Sequence, residues 1–477
     1  MTEPRKGSGT DRRRFLKGAA LAGAAPAIAA TSATTQAQVA APRHTPSALP
    51  PNAHQIAAET KVPGAIENRI GGKPGSDFMV DVLKTLDIKY TPSNCASSFR
   101  ALHESLINYG ENKAPEYLSC MHEESGVGMA HGYFKITGKP LMTMVHGTVG
   151  LQHATMGIYN AYCDRVPVII IGGNDLDAAH RPPGVPTFHA AQDINLIVRD
   201  YTKWDDMPTS LQAFAQSMVR GYKIAMTPPY GPVAISLDAG LQQEPIGAHG
   251  SGLSIPKLTM PSPPAGEMGA VKDAAKMLLA AENPVIVADR AARTPNGIRL
   301  LVELAELLQA NVVDMGGRMN FPNTHYLSRG AAAAAQADVI LGLELSDFWA
   351  VVNSYTDNGE HGIGFNSPKA KAGVKLISIN SVELLTKANY QDFQRYQAVD
   401  ISMPADAEAT LPTLIEAIKS QMTSERRAQN DQRAEKAKKA YADIRARELA
   451  AAAVAWDASP ISTARLSMEI YNAVKDE

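Results

Sequence analysis

The 477 residues are 45% hydrophobic and 20% charged, with a formal net charge of −2. That is ordinary globular composition in a chain too long for one core, so two or three domains are expected, and a collagen-like, largely disordered or membrane-embedded protein is excluded. The near-neutral charge gives no electrostatic ground for binding nucleic acid, and three scattered cysteines (Cys95, Cys120, Cys163) offer neither a disulfide framework nor paired zinc spacing.

The cysteines read as small residues in or near a core. No apolar run reaches the ~18 residues that a membrane span needs.

In chain order the first feature is an address. Arg12-Arg13-Arg14-Phe15-Leu16-Lys17 resembles the twin-arginine export motif. An uncharged, Ala-rich stretch follows from Gly18 to Ala30. Ala27-Ile28-Ala29 and Thr35-Gln36-Ala37 both have the small-x-small form of a cleavage site. Residues 1–38 are therefore expected to be a twin-arginine signal peptide, which implies a periplasmic or otherwise exported protein. Residues 39–74, rich in Ala, Pro and Gly, read as a linker.

From Gly75 short apolar strands alternate with helices. Strands are expected at Ile88–Tyr90, Tyr117–Met121, Leu141–Val145, Val166–Ile171 and Val233–Leu237, and helices over 99–109, 124–136, 151–163 and 210–226. Strands that read as continuous apolar runs fit a parallel sheet covered on both faces. This first domain spans 75–245, and a Pro-rich linker covers 246–265. A second α/β unit follows at 266–420, with strands at Val285–Ala288, Asn311–Asp314, Val339–Gly342 and Val374–Ile379. Residues 421–456 read as an exposed helical connector, because 424–453 mix Arg, Lys, Glu and Ala without Pro or Gly. One more amphipathic helix occupies 457–477.

Chemistry-bearing residues concentrate in 121–174. Glu123 follows a strand, His146 ends the next, and Gly172-Gly173-Asn174 closes a third. Ligands gather at the carboxyl ends of strands in open parallel sheets, so this edge is the candidate site.

His122-Glu123, then Gly132-Tyr133, then Thr137-Gly138-Lys139-Pro140, resembles the N-terminal pyrimidine-binding domain of thiamine-diphosphate enzymes. The acetolactate synthase, benzoylformate decarboxylase and pyruvate oxidase group is the nearest. Asn283-Pro284-Val285-Ile286-Val287 and Ala337-Asp338-Val339-Ile340-Leu341-Gly342 are similar to that family's middle domain. The resemblance covers about 75–460 and is strongest at 117–174. It implies an α/β fold of two doubly wound parallel-sheet domains. It also implies a lyase or transferase acting on 2-oxo acids by decarboxylation or carboligation, acetolactate synthase-like, with thiamine diphosphate as cofactor. Glu123 would hydrogen-bond a pyrimidine nitrogen and favour the imino form that activates the thiazolium carbon, a task suited to a buried carboxyl with a raised pKa. His146 would face the substrate. Pro92, His153 (usually Asn in the family) and Asn174 (often Gln) would line the cofactor. Glu124 reads as a first-turn acid complementing the helix dipole, and His122 as a packing residue. Some members hold FAD in the middle domain; Gly316-Gly317-Arg318 is the stretch that would sit beside it, but two glycines do not make such a site.

Three departures qualify the resemblance. The turn at Thr91-Pro92-Ser93-Asn94-Cys95 lacks the family's Pro-Gly-Gly. Phe188-His189-Ala190 stands where the synthases have Phe-Gln-Glu. No Gly-Asp-Gly, the string that holds Mg²⁺ and the diphosphate in the third domain, occurs in the 477 residues. No metal ligand is therefore named. Two accounts are open: a truncated enzyme whose third domain begins at 457–477, or a chain completed by a partner carrying that domain. A third is an exported, non-catalytic binding or scaffold protein. In the enzyme readings the chain forms an even-numbered homo-oligomer or pairs with the partner, and Met156, Ile158, Tyr159 and Tyr162 of the 151–163 helix face the neighbouring subunit.

Overall fold

The computed structural model describes residues 50–59, 61, 72–177, 188–247, 252–357, 364–384 and 395–476. The expected twin-arginine segment lies outside the described residues. The chain divides into one unit up to Asn68 and another from Arg69 onward. In the first, a helix spans Ala53–Glu59 inside the stretch expected to be a linker. Its start is a reciprocal cap: Asn52 N–H donates to Gln55 Oε1 and Gln55 N–H donates to Asn52 Oδ1, both at 2.9 Å.

The second unit opens with α1 (Gly75–Lys84), β1 (Tyr90–Ser93), a helical stretch over 97–109 and β2 (Glu116–Ser119). Then come α2 (Glu123–Thr137), β3 (Leu141–His146), α3 (Gly147–Cys163), β4 (Val168–Asn174), β5 (Trp204–Asp206), α4 (Leu211–Ala225) and β6 (Val233–Asp238). β1 pairs with β2, and a second sheet runs β3-β4-β6-β5, all parallel. Alternation along the strands divides the core in two. Met142, Met144, Ile169, Ile171 and Ile235 pack with Phe78 of α1 and Phe214 of α4. Leu141, Val145, Val168 and Ile170 pack with Val127 and Phe134 of α2 and Leu151 and Ile158 of α3. Each of these buried Leu, Ile, Val, Met and Phe side chains contributes about 1.5–3 kcal/mol of burial free energy. α2 stops where the sequence demands it, at Gly138 with φ +69°.

The central domain alternates α5 (Met268–Ala280), β7 (Pro284–Ala288), α6 (Pro295–Leu308), β8 (Asn311–Asp314), β9 (Ser328–Arg329) and β10 (Val339–Leu343). An antiparallel hairpin, β11 (Asn353–Asp357) with β12 (Gly364–Pro368), interrupts it before β13 (Lys375–Ile379), β14 (Ile401–Met403) and α7 (Ala407–Gln421). The six-stranded parallel sheet has the order β14-β13-β10-β7-β8-β9 and is also covered on both faces. The architecture is thus α/β with parallel sheets in both halves. α8 (Ser424–Ala453) buries only Asn430 and Ala434, and α9 (Thr463–Val474) buries none of its residues.

Three expectations need correction. The first strand begins at Tyr90 rather than ending there and carries Pro92 within it, and a side chain links it to β3, Ser93 Oγ accepting the Met144 N–H at 2.8 Å. Cys120 and Cys163 are half-buried, but Cys95 is exposed rather than in or near a core. Ile158 and Tyr162 belong to the domain's own core, so of the four residues expected at a subunit surface only Met156 is largely exposed.

Candidate functional site

α2 starts four residues beyond β2, and Glu123 is its first residue. His122 caps the helix, its Nδ1 accepting the Glu124 N–H at 3.2 Å. One turn on, the helix touches β1: a Cβ on Gly126 would lie 2.7 Å from the Pro92 carbonyl oxygen. That contact presses Glu123 into the cleft between β1 and α3, where it is 3% exposed. Asn94 Nδ2 donates to its Oε1 at 3.2 Å, and His153 Nδ1 lies 3.2 Å from its Oε2. Gly150 leaves the carboxylate room, since a Cβ there would sit 3.2 Å from Oε1. The structure thus brings Glu123, His153 and, through its carbonyl, Pro92 to one place. Asn94 was not singled out from the sequence.

His122 is exposed rather than packed, and its ring stacks on His153 at 5.0 Å between centroids and 15° between planes. Exposed Glu124 stands in the first turn of α2, as a dipole complement would. His122, Glu123 and His153 have ligating atoms within 4.8 Å of one another, the one such group among the described residues. The set does not suit Mg²⁺, which takes oxygen ligands in octahedral geometry. Nor do two nearly parallel imidazoles aim their in-plane lone pairs at one point.

At the neighbouring strand end His146 holds two partners. Its Nδ1 lies 2.7 Å from Ser98 Oγ, and its Nε2 lies 2.7 Å from His189 Nδ1. The His146 and His189 rings meet edge to face at 4.7 Å. Burial, then the neighbouring His189, push the His146 pKa below its usual value, against the charges of Glu123 and Asp175. The backbone of His189 is fixed as well, its carbonyl accepting from Thr148 N–H at 2.9 Å and Thr148 Oγ1 at 3.1 Å. In the sequence His189 stands only in the Gln position of Phe-Gln-Glu, beside the carboxylate lost at Ala190; its contact with a residue 43 positions away has no sequence signal. Asn174 turns out to hold this loop. Its Nδ2 donates to the Ala191 carbonyl at 2.7 Å and its Oδ1 accepts from Ala191 N–H at 3.3 Å and Asp175 N–H at 3.1 Å. It is 1% exposed, and both polar atoms of its side chain are bonded to the backbone at 175 and 191.

Arg318 donates to the Arg165 carbonyl at 3.1 Å across the two domains.

A buried carboxylate at a helix start, fixed by an amide and an imidazole at the carboxyl ends of parallel strands, marks a small-molecule site in an α/β enzyme fold. Residues 73–186 match the model of the thiamine pyrophosphate enzyme N-terminal TPP binding domain, and residues 271–414 match that of the thiamine pyrophosphate enzyme central domain. The chain belongs to the thiamine pyrophosphate enzyme family through these two domains. It is 27% identical over 261 residues to benzoylformate decarboxylase of Pseudomonas aeruginosa, covering 52% of this chain and 48% of that protein. It is 24% identical over 281 residues to the acetolactate synthase large subunit of Haemophilus influenzae, covering 56% and 48%. The matched region is therefore about half the length of these curated relatives. The solved benzoylformate decarboxylase from Polynucleobacter necessarius shares the fold with a TM-score of 0.58 at 18% identity, over 72% of this chain and 61% of that one.

Proposed function

We propose that this chain holds the pyrimidine end of thiamine diphosphate in an enzyme that acts on 2-oxo acids. The observation that carries the reading is the buried Glu123 carboxylate, gripped between Asn94 and His153 and left room by Gly150. The bound cofactor supplies an electron sink for loss of carbon dioxide. Glu123 would share a proton with a ring nitrogen, Asn94 and His153 would fix the rotation of its carboxylate, and Gly126 and Pro92 would fix the depth of the helix start. Two adjacent imidazoles and no carboxylate at 188–190 favour decarboxylation over carboligation. The Mg²⁺ and diphosphate ligands are assigned to residues other than these, on a further segment or a partner chain, and an even-numbered assembly follows if the site is shared between subunits. Export through residues 1–38 is part of the same proposal.

The test joins this chain to a diphosphate-binding domain and follows exchange of the thiazolium C–H by NMR. Glu123→Gln should slow exchange by about 100-fold or more and leave the assembly intact, because an amide cannot supply the shared proton. Unchanged exchange would mean that Glu123 is not the acid and would favour a binding protein that kept the fold.

A further inference from the structure

The hydrogen bonds at His146 decide which of its nitrogens carries the proton, and with it which group of the pair is left for a ligand. Ser98 is 3% exposed, and among the described residues its hydroxyl has one hydrogen-bond partner, His146 Nδ1. Gly173 packs against the same hydroxyl, close enough that a Cβ there would meet it, and no hydrogen bond joins the two. A buried O–H without an acceptor costs about 1–3 kcal/mol, so the Ser98 hydroxyl donates to His146 Nδ1. His146, held neutral near pH 7 by its burial and by His189, then carries its proton on Nε2. That N–H donates to His189 Nδ1 at 2.7 Å. With Nδ1 accepting, His189 carries its own proton on Nε2.

The chain of donors therefore runs Ser98 O–H to His146 and His146 N–H to His189, and it leaves His189 Nε2–H with no hydrogen-bond partner among the described residues. Both nitrogens of His146 are engaged inside the protein. We infer that His189 Nε2–H, not His146, is the group that meets the substrate, as a hydrogen-bond donor to an oxygen of a 2-oxo acid, and that His146 and Ser98 are positioning residues that aim it. The role is orientation and not proton delivery. Loss of the Nε2 proton would draw protons along the chain and leave an imidazolate or a serine alkoxide in a buried site. Glu123 and Asp175 are the carboxylates whose charges reach His146, and neither accepts from it. The consequence for substrate rests on the thiamine reading above, whereas the proton placement does not.

Long-range ¹H–¹⁵N spectra of the histidine-labelled full chain read the tautomers without cofactor or substrate. The expected result is His146 as the Nε2–H form between pH 6.5 and 8, shifting to a mixture in Ser98→Ala. A His146 Nδ1–H form in the wild-type chain would overturn the inference. In the chain joined to a diphosphate-binding domain, His189→Leu should lower kcat/KM for the 2-oxo acid about tenfold, mostly through KM, the size of one lost hydrogen bond. His189→Gln restores most of it, since its carbonyl accepts from His146 and its amide donates outward. Equal kcat/KM in His189→Leu and wild type would also overturn it. If no variant, wild type included, turns over, the thiamine reading fails while the spectra still decide the pair.

Discussion

Arg165 and Glu344 meet at 2.6 Å where the two domains touch, both buried and both in the left-handed backbone region, with φ +53° and +52°. Burial pushes the Arg165 pKa down and the Glu344 pKa up, and their attraction opposes both shifts. Glu344 is otherwise saturated, accepting from Ser381 N–H at 3.0 Å, Ser381 Oγ at 2.8 Å and Ala407 N–H at 3.0 Å. The pair holds the turn after α3 against the end of β10. Since α3 carries His153, the central domain braces the site from behind.

Arg165→Met should therefore cost about 3–5 kcal/mol, because it leaves a buried carboxylate without its cation. Urea unfolding of the single and of Arg165→Met/Glu344→Met checks this. The double variant should recover part of the loss. A single-variant cost below 1 kcal/mol would show that the pair does not brace the domains.

Asp164, beside it, gives a pH dependence of known sign. Burial raises its pKa, but hydrogen bonds from His131 at 2.8 Å and Lys135 at 2.7 Å and the charge of Arg318 outweigh that and hold it at about 2. A carboxyl lowered on folding stabilises above its unfolded pKa of about 3.8 and loses that contribution as pH falls to 2. Its side chain is 16% exposed, and the contribution is about 2 kcal/mol. The stability difference between wild type and Asp164→Asn should shrink by that amount between pH 5 and pH 2. Parallel stability curves over this range would refute the assignment.

The strands were legible because two-face burial writes itself as apolar runs: β4 is buried at all seven positions, and Val168–Ile171 announces it. Glu123 was legible because the His-Glu to Gly-Lys-Pro string is local. What failed was set by contacts distant in sequence. Asn94 and Glu123 are 29 residues apart, and His146 and His189 are 43 apart, so no periodicity links them. Pro92 has no N–H to give a ladder and so is no strand signal, and only the fold shows it paired with Leu118 of β2. His122 reads from the sequence as a packing residue, yet it caps α2, and a capping residue sits outside the helix it starts.

The two nearest glycines of α2 provide a test of the site's support. Gly126 and Gly128 lie on one helix, two residues apart, and Ala has the higher helix propensity at both. Propensity alone predicts a gain of about 0.5–1 kcal/mol for either Gly→Ala substitution. At Gly128 a Cβ would meet nothing within 4 Å, so that gain should appear in full. At Gly126 the Cβ would lie 2.7 Å from the Pro92 carbonyl oxygen and 3.2 Å from Thr143 Cγ2. Backbone is what it meets, so α2 or β1 must move, at a cost of about 1–3 kcal/mol. Gly128→Ala should therefore raise the unfolding midpoint and Gly126→Ala lower it. The second shift also moves Glu123, three residues before Gly126, away from Asn94 and His153. In the chain joined to a diphosphate-binding domain, Gly126→Ala should weaken cofactor binding more than its loss of stability explains, while Gly128→Ala leaves binding unchanged. Equal stability changes of the same sign at the two positions would mean that the contact between α2 and β1 does not set the depth of Glu123.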